Sequence, residues 1–293
     1  MNQIANQWKD YEILDTGNKE KLERWKSITL RRPDPVCIWP IESPALWDPV
    51  DAHYHRSKSG GGHWDFHTEI KEFWTIDYKD LTFKISPTGF KHTGLFPEQA
   101  ANWDFMMEAI RSSQRKDIRV LNLFAYIGAA TMACSKAGAM EVVHVDAAKG
   151  MIQWAKDNMK LNHLENQTIR FLVDDCLKFV KREQRRNRKY DAIIMDPPSY
   201  GRGPKQELWK LEDNLFELVQ ESQKLLSDDP LFFLINCYTT GFSCATLQET
   251  LTRVFKERNG IIETGENLLP VTHAHSLLPC GIYGKWIHES TKR

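Results

Sequence analysis

Four short stretches combine acids, small residues and prolines in ways that chemistry can use. The first is Asn122-Leu123-Phe124-Ala125-Tyr126-Ile127-Gly128-Ala129-Ala130-Thr131. Gly128 and the two alanines allow close approach to the backbone where a helix begins. The free N–H groups of a first helical turn can meet a polar ligand end there. Small residues also serve tight strand-to-helix packing, so this stretch alone decides nothing. Asp146 closes the apolar run Glu141–Val145. An acid in that position can accept from both hydroxyls of a ribose, and it is equally a good helix N-cap. Asp174-Asp175-Cys176 closes a third run. A carboxylate there can accept from an adenine amino group while the next backbone N–H meets the ring, with helix capping again the alternative. The sharpest stretch is Asp196-Pro197-Pro198-Ser199-Tyr200 after Asp191–Met195. Two prolines stiffen the chain just beyond a buried strand and aim carbonyls and the Asp196 carboxylate into a cleft. Such an acceptor-rich wall suits a planar, amino-bearing base held near an electrophilic methyl group, with Tyr200 as a stacking surface.

These stretches all end strands in an alternating series. Apolar runs at Ile118–Phe124, Glu141–Val145, Thr168–Val173, Asp191–Met195 and Leu231–Ile235 read as strands. Between and around them, helical patterns span Ala100–Arg111, the small-residue stretch through Ala137, Ala148–Leu161, Leu177–Arg186, Glu207–Leu226 and Cys244–Lys256. Short strands that are apolar throughout, separated by amphipathic helices, imply a parallel sheet covered on both faces. In such doubly wound sheets ligands bind at the carboxyl ends of the strands. Ile261–Leu268 and Tyr283–His288 fit an antiparallel closing pair. Residues 1–87 differ: Trp- and Pro-rich, with alternating runs at Trp74–Tyr78 and Leu81–Ile85 and a turn-rich stretch at Ser57–Trp64. They predict a small β-rich module, and residues 88–293 a second domain.

The composition permits an enzyme without naming one. With 293 residues, 41% of them hydrophobic, the chain can bury a sizeable core. No run of eighteen apolar residues suggests a membrane span, and the N-terminus does not read as a secretory signal. Six scattered cysteines without a C-x-x-C pair suit free thiols in a reducing cytoplasm. The formal net charge is zero, so global electrostatics recruits neither nucleic acid nor anionic membrane.

Taken together, the strand ends resemble the class I S-adenosylmethionine methyltransferases. Within them the chain is most similar to the group allied to the ribosomal-RNA methyltransferases that modify cytosine C5 or guanine N7 in the large subunit. The resemblance covers roughly residues 88–290. It rests on Lys91-His-Thr-Gly94-Leu-Phe96-Pro97-Glu98-Gln99, on Asn122 to Gly128, and on Asp196-Pro-Pro-Ser-Tyr200. It implies an α/β fold, a Rossmann-like doubly wound seven-stranded sheet with a small N-terminal β-rich module, and S-adenosyl-L-methionine as cofactor. Gln99, Asn122 and the turn Phe124, Ala125, Tyr126, Gly128 would lie along the methionine part. Asp146 would take the ribose, Asp175 and Cys176 the adenine, and Asp196 the boundary with substrate. Ribosomal RNA is the implied partner and the cytoplasm the implied location. Cytosine C5 transfer needs a thiolate to attack C6, and Cys237 stands near the place where such relatives carry it. Its flanks, Asn236 and Tyr238, depart from the Cys-Ser pattern of that group. A lone Cys beside a strand is also an ordinary core residue.

Other features predict less. His53, His55, His63 and His67 lack the Cys or acidic partner of a recognised zinc pattern. The basic run Lys178, Lys181, Arg182, Arg185, Arg186, Arg188 and Lys189 reads either as an RNA contact or as a solvated helix end. Rival functions are a methyltransferase of proteins or small molecules, a cofactor-binding module without catalysis, and a nicotinamide dehydrogenase. The dehydrogenase is disfavoured by the missing G-x-G-x-x-G.

Overall fold

A computed structural model describes residues 1–57, 61–89, 91–202, 208–239 and 241–289, in two compact units. One unit comprises residues 4–101 and 267–280; the other comprises residues 1–3, 102–266 and 281–293.

The first unit is mostly β-structure. After β1 (Gln3–Ile4) come β2 (Tyr11–Gly17), β3 (Glu20–Trp25), β4 (Ile28–Pro33), β5 (Ala52–Arg56) and β6 (Gly62–Phe66). β2, β3 and β4 pair antiparallel in succession, β5 joins β4 in parallel, and β6 returns antiparallel on β5. A separate hairpin joins β7 (Trp74–Tyr78) and β8 (Leu81–Ile85). In β8 the alternation is visible: Leu81, Phe83 and Ile85 are buried and Thr82 and Lys84 are not, as a half-buried strand requires. The sequence pattern anticipates only this hairpin. Charged residues interrupt β3 and β4, so they carry no clean alternation, and their charges are buried in pairs instead. The Glu23 carboxylate accepts from Arg32 Nε (2.6 Å) and Nη2 (2.8 Å) and from the Tyr11 hydroxyl (2.7 Å), with Lys21 Nζ 3.6 Å away. Burial opposes the Glu23 charge, but Arg32 and Lys21 overcome it and hold the carboxyl at about 2. The Ser57–Trp64 stretch partly lies outside the described residues, and from Gly62 it is strand.

The second unit is the expected doubly wound sheet. Its elements are α1 (Ala100–Ser112), β9 (Arg119–Leu123), α2 (Ala129–Lys136), β10 (Glu141–Asp146), α3 (Lys149–Leu161), β11 (Ile169–Val173), α4 (Cys176–Arg185) and β12 (Ala192–Met195). There follow β13 (Tyr200–Arg202), β14 (Leu208–Lys210), α5 (Leu211–Gln223), β15 (Phe232–Cys237), α6 (Cys244–Phe255), β16 (Gly260–Val271) and β17 (Ser276–His288). The strand order is β11-β10-β9-β12-β15-β17-β16. The first five strands are parallel and β17 runs antiparallel to β15. Order reverses between β9 and β12, which places the ligand-binding crevice at their carboxyl ends. Strands β9, β12 and β15 read as continuous apolar runs because both faces are covered. On one face, Leu121, Val143, Ile193 and Phe233 pack with Phe179, Leu215, Leu218 and Leu251 of the helices. Each such side chain contributes about 1.5–3 kcal/mol by leaving water.

One helix starts later than its pattern predicts. Leu208–Lys210 is the strand β14, paired antiparallel with β13, and α5 begins only at Leu211. Pairing with β13 overrides local helix propensity there. The basic run along α4 is largely spoken for: Lys181 pairs with Glu217, Arg182 with Asp174, Arg186 with Glu183, and Arg188 with Glu141. Among the described residues no helix is long and apolar enough to cross a membrane.

Candidate active site

The crevice between β9 and β12 collects nearly every strand end singled out by sequence. β9 runs into a turn whose backbone is left-handed at three alternate positions: Phe124 (φ 53°), Tyr126 (φ 51°) and Gly128 (φ 82°). Only glycine adopts this region without penalty, so Phe124 and Tyr126 store strain of order 1–3 kcal/mol each. Hydrogen bonds hold them. Phe124 N donates to the Cys176 sulfur (3.3 Å), Ala125 N to Val145 O (3.0 Å), Tyr126 N to Asp146 Oδ2 (2.9 Å) and Gly128 N to Ala125 O (2.9 Å). Beneath the turn, Asn122 Nδ2 donates to Thr131 Oγ1 (3.0 Å), which lies 2.9 Å from His144 Nδ1. Burial lowers the His144 imidazole to about 3, so this network is uncharged at neutral pH.

A Cβ on Gly128 would meet Ala155 Cβ at 3.1 Å and His144 Cε1 at 3.3 Å. The glycine therefore lets α2 start against β10 and α3. No side chain caps α2, so its first N–H groups remain open to a ligand. Asp146, at the end of β10, also accepts from Ala148 N (2.8 Å) through Oδ1. Burial raises its pKa, with the two backbone N–H groups pulling the other way. Each oxygen keeps acceptor capacity beyond these bonds.

At the third strand end, Asp175 caps α4 by accepting from Lys178 N (2.8 Å). Cys176 lies buried under the first turn, and burial pushes its thiol far up. Of the two alternatives for Asp175, the structure shows the helix cap in place. At the fourth, Asp196 N donates to Leu123 O (3.3 Å), tying β12 to β9. The segment after it is bolted on several sides. Trp209 Nε1 donates to Pro198 O (2.7 Å), Leu211 N to Ser199 O (3.1 Å) and Thr239 Oγ1 to Ser199 Oγ (2.6 Å). Tyr200 is 58% exposed. Cys237, at the end of β15, is 1% exposed within the helical core, and burial followed by the Asp196 charge pushes its thiol up to about 12.

Gln99 belongs to the other unit. It ends the short 3-10 helix Pro97–Gln99, buried, with its N–H on Phe96 O (3.1 Å). In that unit Arg32 Nη1 donates to Lys91 O (2.6 Å), fixing the start of the same segment. The remaining candidates, Asn122, Phe124, Ala125, Tyr126, Gly128, Asp146, Asp175, Cys176, Asp196, Tyr200 and Cys237, all lie in the second unit. Sequence reading missed Trp209, whose ring packs against Phe124 (centroids 5.1 Å apart, planes at 50°). It also missed Thr239. Trp209 sits inside a run that looks helical, and its place follows from the pairing Gly201↔Trp209, which no local spacing announces.

The donor set fits a ligand with an anionic amino-acid end, a ribose and a base. Open N–H groups start α2, a glycine cradle lies beside them, and a carboxylate ends β10. Among the described residues no group of His, Cys, Asp or Glu is arranged to hold a metal. In the first unit the histidines instead pair with acids: His53 with Glu20 (2.9 Å) and His55 with Asp65 (3.0 Å).

Comparison with known proteins agrees with this geometry. A family model described as S-adenosylmethionine-dependent methyltransferase matches residues 48–230. The ribosomal RNA large subunit methyltransferase K/L of Shewanella baltica is 33% identical over 157 residues, 53% of this chain and 21% of that protein. The protein of the same name from Pseudoalteromonas translucida is 31% identical over 146 residues, 50% of this chain and 20% of that one. The chain thus spans about a fifth of the length of these relatives. The crystal structure of the SAM-dependent methyltransferase from Agrobacterium tumefaciens superposes with a TM-score of 0.93 at 31% identity, covering 98% of this chain and 93% of that one. The tRNA m1G37 methyltransferase of M. jannaschii, at 12% identity and TM-score 0.54 over 95% of this chain and 74% of that one, shares the fold alone.

Proposed function

Since the chain belongs to the S-adenosylmethionine-dependent methyltransferase family, we propose that it methylates a base in ribosomal RNA. S-adenosylmethionine supplies an electrophilic methyl group on a sulfonium. The chain's own residues bind, orient and exclude water around it. In this reading the start of α2 and the turn Phe124–Gly128 take the amino-acid end, with Asn122 supporting them from below. Asp146 takes the ribose, and Asp175 with Cys176 borders the adenine. Asp196 and the carbonyl after it orient the acceptor, and Tyr200 stacks on it.

The observation that carries this reading is the bolted Asp196-Pro-Pro-Ser segment with a largely exposed tyrosine directly after it. An exposed aromatic beside rigid acceptors matches what a splayed-out base requires. Most of the rate then comes from positioning, since holding two reactants in line replaces a bimolecular encounter. The burial and raised pKa of Cys237 favour direct transfer over a covalent adduct, because a thiol near 12 is almost wholly protonated at neutral pH. Ribosomal RNA from a strain lacking the gene is the test substrate, with radiolabelled cofactor. Labelling of that RNA, but not of RNA from the parent strain, is the expected result, and it weakens as salt rises. Labelling of protein or of small molecules alone would move the substrate to another class. Cys237→Ala is expected to retain turnover; a loss on the order of 10⁴-fold in a folded variant would restore the covalent route.

A further inference from the structure

Trp209 makes two contacts that no other described side chain combines. Its indole N–H donates to the Pro198 carbonyl at 2.7 Å, and its ring packs on Phe124 with centroids 5.1 Å apart. Phe124 belongs to the strained first turn, at φ 53°. Pro198 belongs to the wall after Asp196. Trp209 therefore bridges the two loops that face each other across the crevice, one on the cofactor side and one on the acceptor side. Its backbone is placed by the pairing of Gly201 with Trp209, beside Tyr200 with Lys210. The chain then turns into α5 with Leu211 N on Ser199 O. Thr239 secures the opposite side of Ser199.

From this geometry we propose that Trp209 is a positioning residue for methyl transfer, setting the distance and angle between the first turn and the acceptor wall. It touches neither the methyl group nor the acceptor atom. It acts through Pro198, which fixes where Tyr200 presents its ring, and through Phe124. The indole also takes up one of the two lone pairs of the second prolyl carbonyl. In this proposal Asp196 and the Pro197 carbonyl meet the donors of an incoming base. The proposal rests on the methyltransferase reading and not on the identity of the acceptor.

The test compares Trp209→Phe with the unsubstituted protein, because phenylalanine keeps an aromatic ring beside Phe124 while it loses the N–H donor and part of the ring area. Three quantities are read on the full chain: binding of S-adenosylhomocysteine, hydrogen exchange in the peptide covering residues 197–202, and kcat and KM on ribosomal RNA from the deletion strain. The expected result is near-native cofactor-product binding and melting, faster exchange in 197–202, and kcat lowered by about 5- to 100-fold with KM changed less. Unchanged exchange in that peptide overturns the proposal, whatever the activity. Faster exchange with native kcat overturns it as well, since the bridge would then be structural only. If the unsubstituted protein fails to methylate this RNA, the substrate reading is what fails. The exchange comparison still decides whether Trp209 holds the wall, because it needs no substrate.

Discussion

Replacing Asp146 separates its two jobs, supporting the first turn and holding a ribose. Its carboxylate accepts from Tyr126 N at 2.9 Å and from Ala148 N at 2.8 Å. Alanine would orphan the part-buried Tyr126 N–H, at about 1–3 kcal/mol, would leave the exposed Ala148 N–H to water, and would free a turn strained at Phe124 and Tyr126. Against a total domain stability of about 5–15 kcal/mol that threatens the fold itself. Asp146→Asn is the gentler probe. Its amide oxygen keeps one backbone bond, while its NH2 faces the other donor. Removing a charge that burial disfavours offsets part of that loss, so the net destabilisation stays below about 2 kcal/mol. Cofactor affinity suffers more. Losing one charge-assisted hydrogen bond to a ribose hydroxyl costs about 1.5–3 kcal/mol, or roughly 10- to 150-fold in Kd. Calorimetric titration with S-adenosylhomocysteine, beside thermal melts of both proteins, measures the two effects separately. A variant that binds within about twofold of the native protein, whatever its melting temperature, refutes the assignment of Asp146 to the ribose. Acidification is a second check. The Asp146 pKa is raised, so native affinity falls with decreasing pH before an ordinary aspartate would protonate, and the Asn variant lacks that step.

Further outcomes follow from other parts of the chain. Glu23→Gln strands the buried Arg32 in the first unit without its counter-charge, leaves Lys21 with Asp34 alone, and costs about 3–5 kcal/mol. In the native protein the Glu23 carboxyl drops from the usual 4.5 to about 2. That stabilisation, about 3 kcal/mol, is complete above pH 4.5 and is lost as pH falls toward 2. Urea unfolding at a series of pH values reads it, and parallel profiles for the native and Gln proteins would contradict it. Gly128→Ala combines a left-handed backbone with contacts at 3.1 and 3.3 Å. It costs about 2–4 kcal/mol in chemical denaturation, and a loss under about 1 would mean that α2 shifts freely. Tyr200→Ala leaves stability unchanged because the ring is mostly exposed. It raises KM for RNA by about 5- to 100-fold, while Tyr200→Phe stays near native, as stacking on a base predicts. An unaffected KM in the alanine protein would remove Tyr200 from substrate binding.

Much of the second unit was legible beforehand because its physics is local. A strand buried on both faces is predominantly apolar, so Arg119–Leu123, Ala192–Met195 and Phe232–Cys237 stand out against polar surroundings. The residues after such strands fall into the crevice by topology, which is why Asp146, Asp175 and Asp196 could be named before any coordinates. The first unit was legible only at Trp74–Ile85. Its central strands bury Glu23 and Arg32 with Lys21 partly buried beside them, and hydropathy hides a strand whose charges are satisfied by partners across the sheet.

From residue types and order come the parallel sheet and the strand ends, since each follows from periodicity and from side chains at the end of one element, while the cofactor class came through the family those strand ends resemble. The contacts between distant segments were settled by tertiary structure. They include the return of residues 267–280 to the first unit, the Cys176 sulfur beneath the Phe124 turn, and Trp209 between Phe124 and Pro198. The burial and raised pKa of Cys237 likewise come from the tertiary structure, because a thiol's surroundings are not its neighbours in sequence. Sequence encodes such contacts only through the whole fold: the segments that make them are far apart along the chain and meet when the core that joins them has packed.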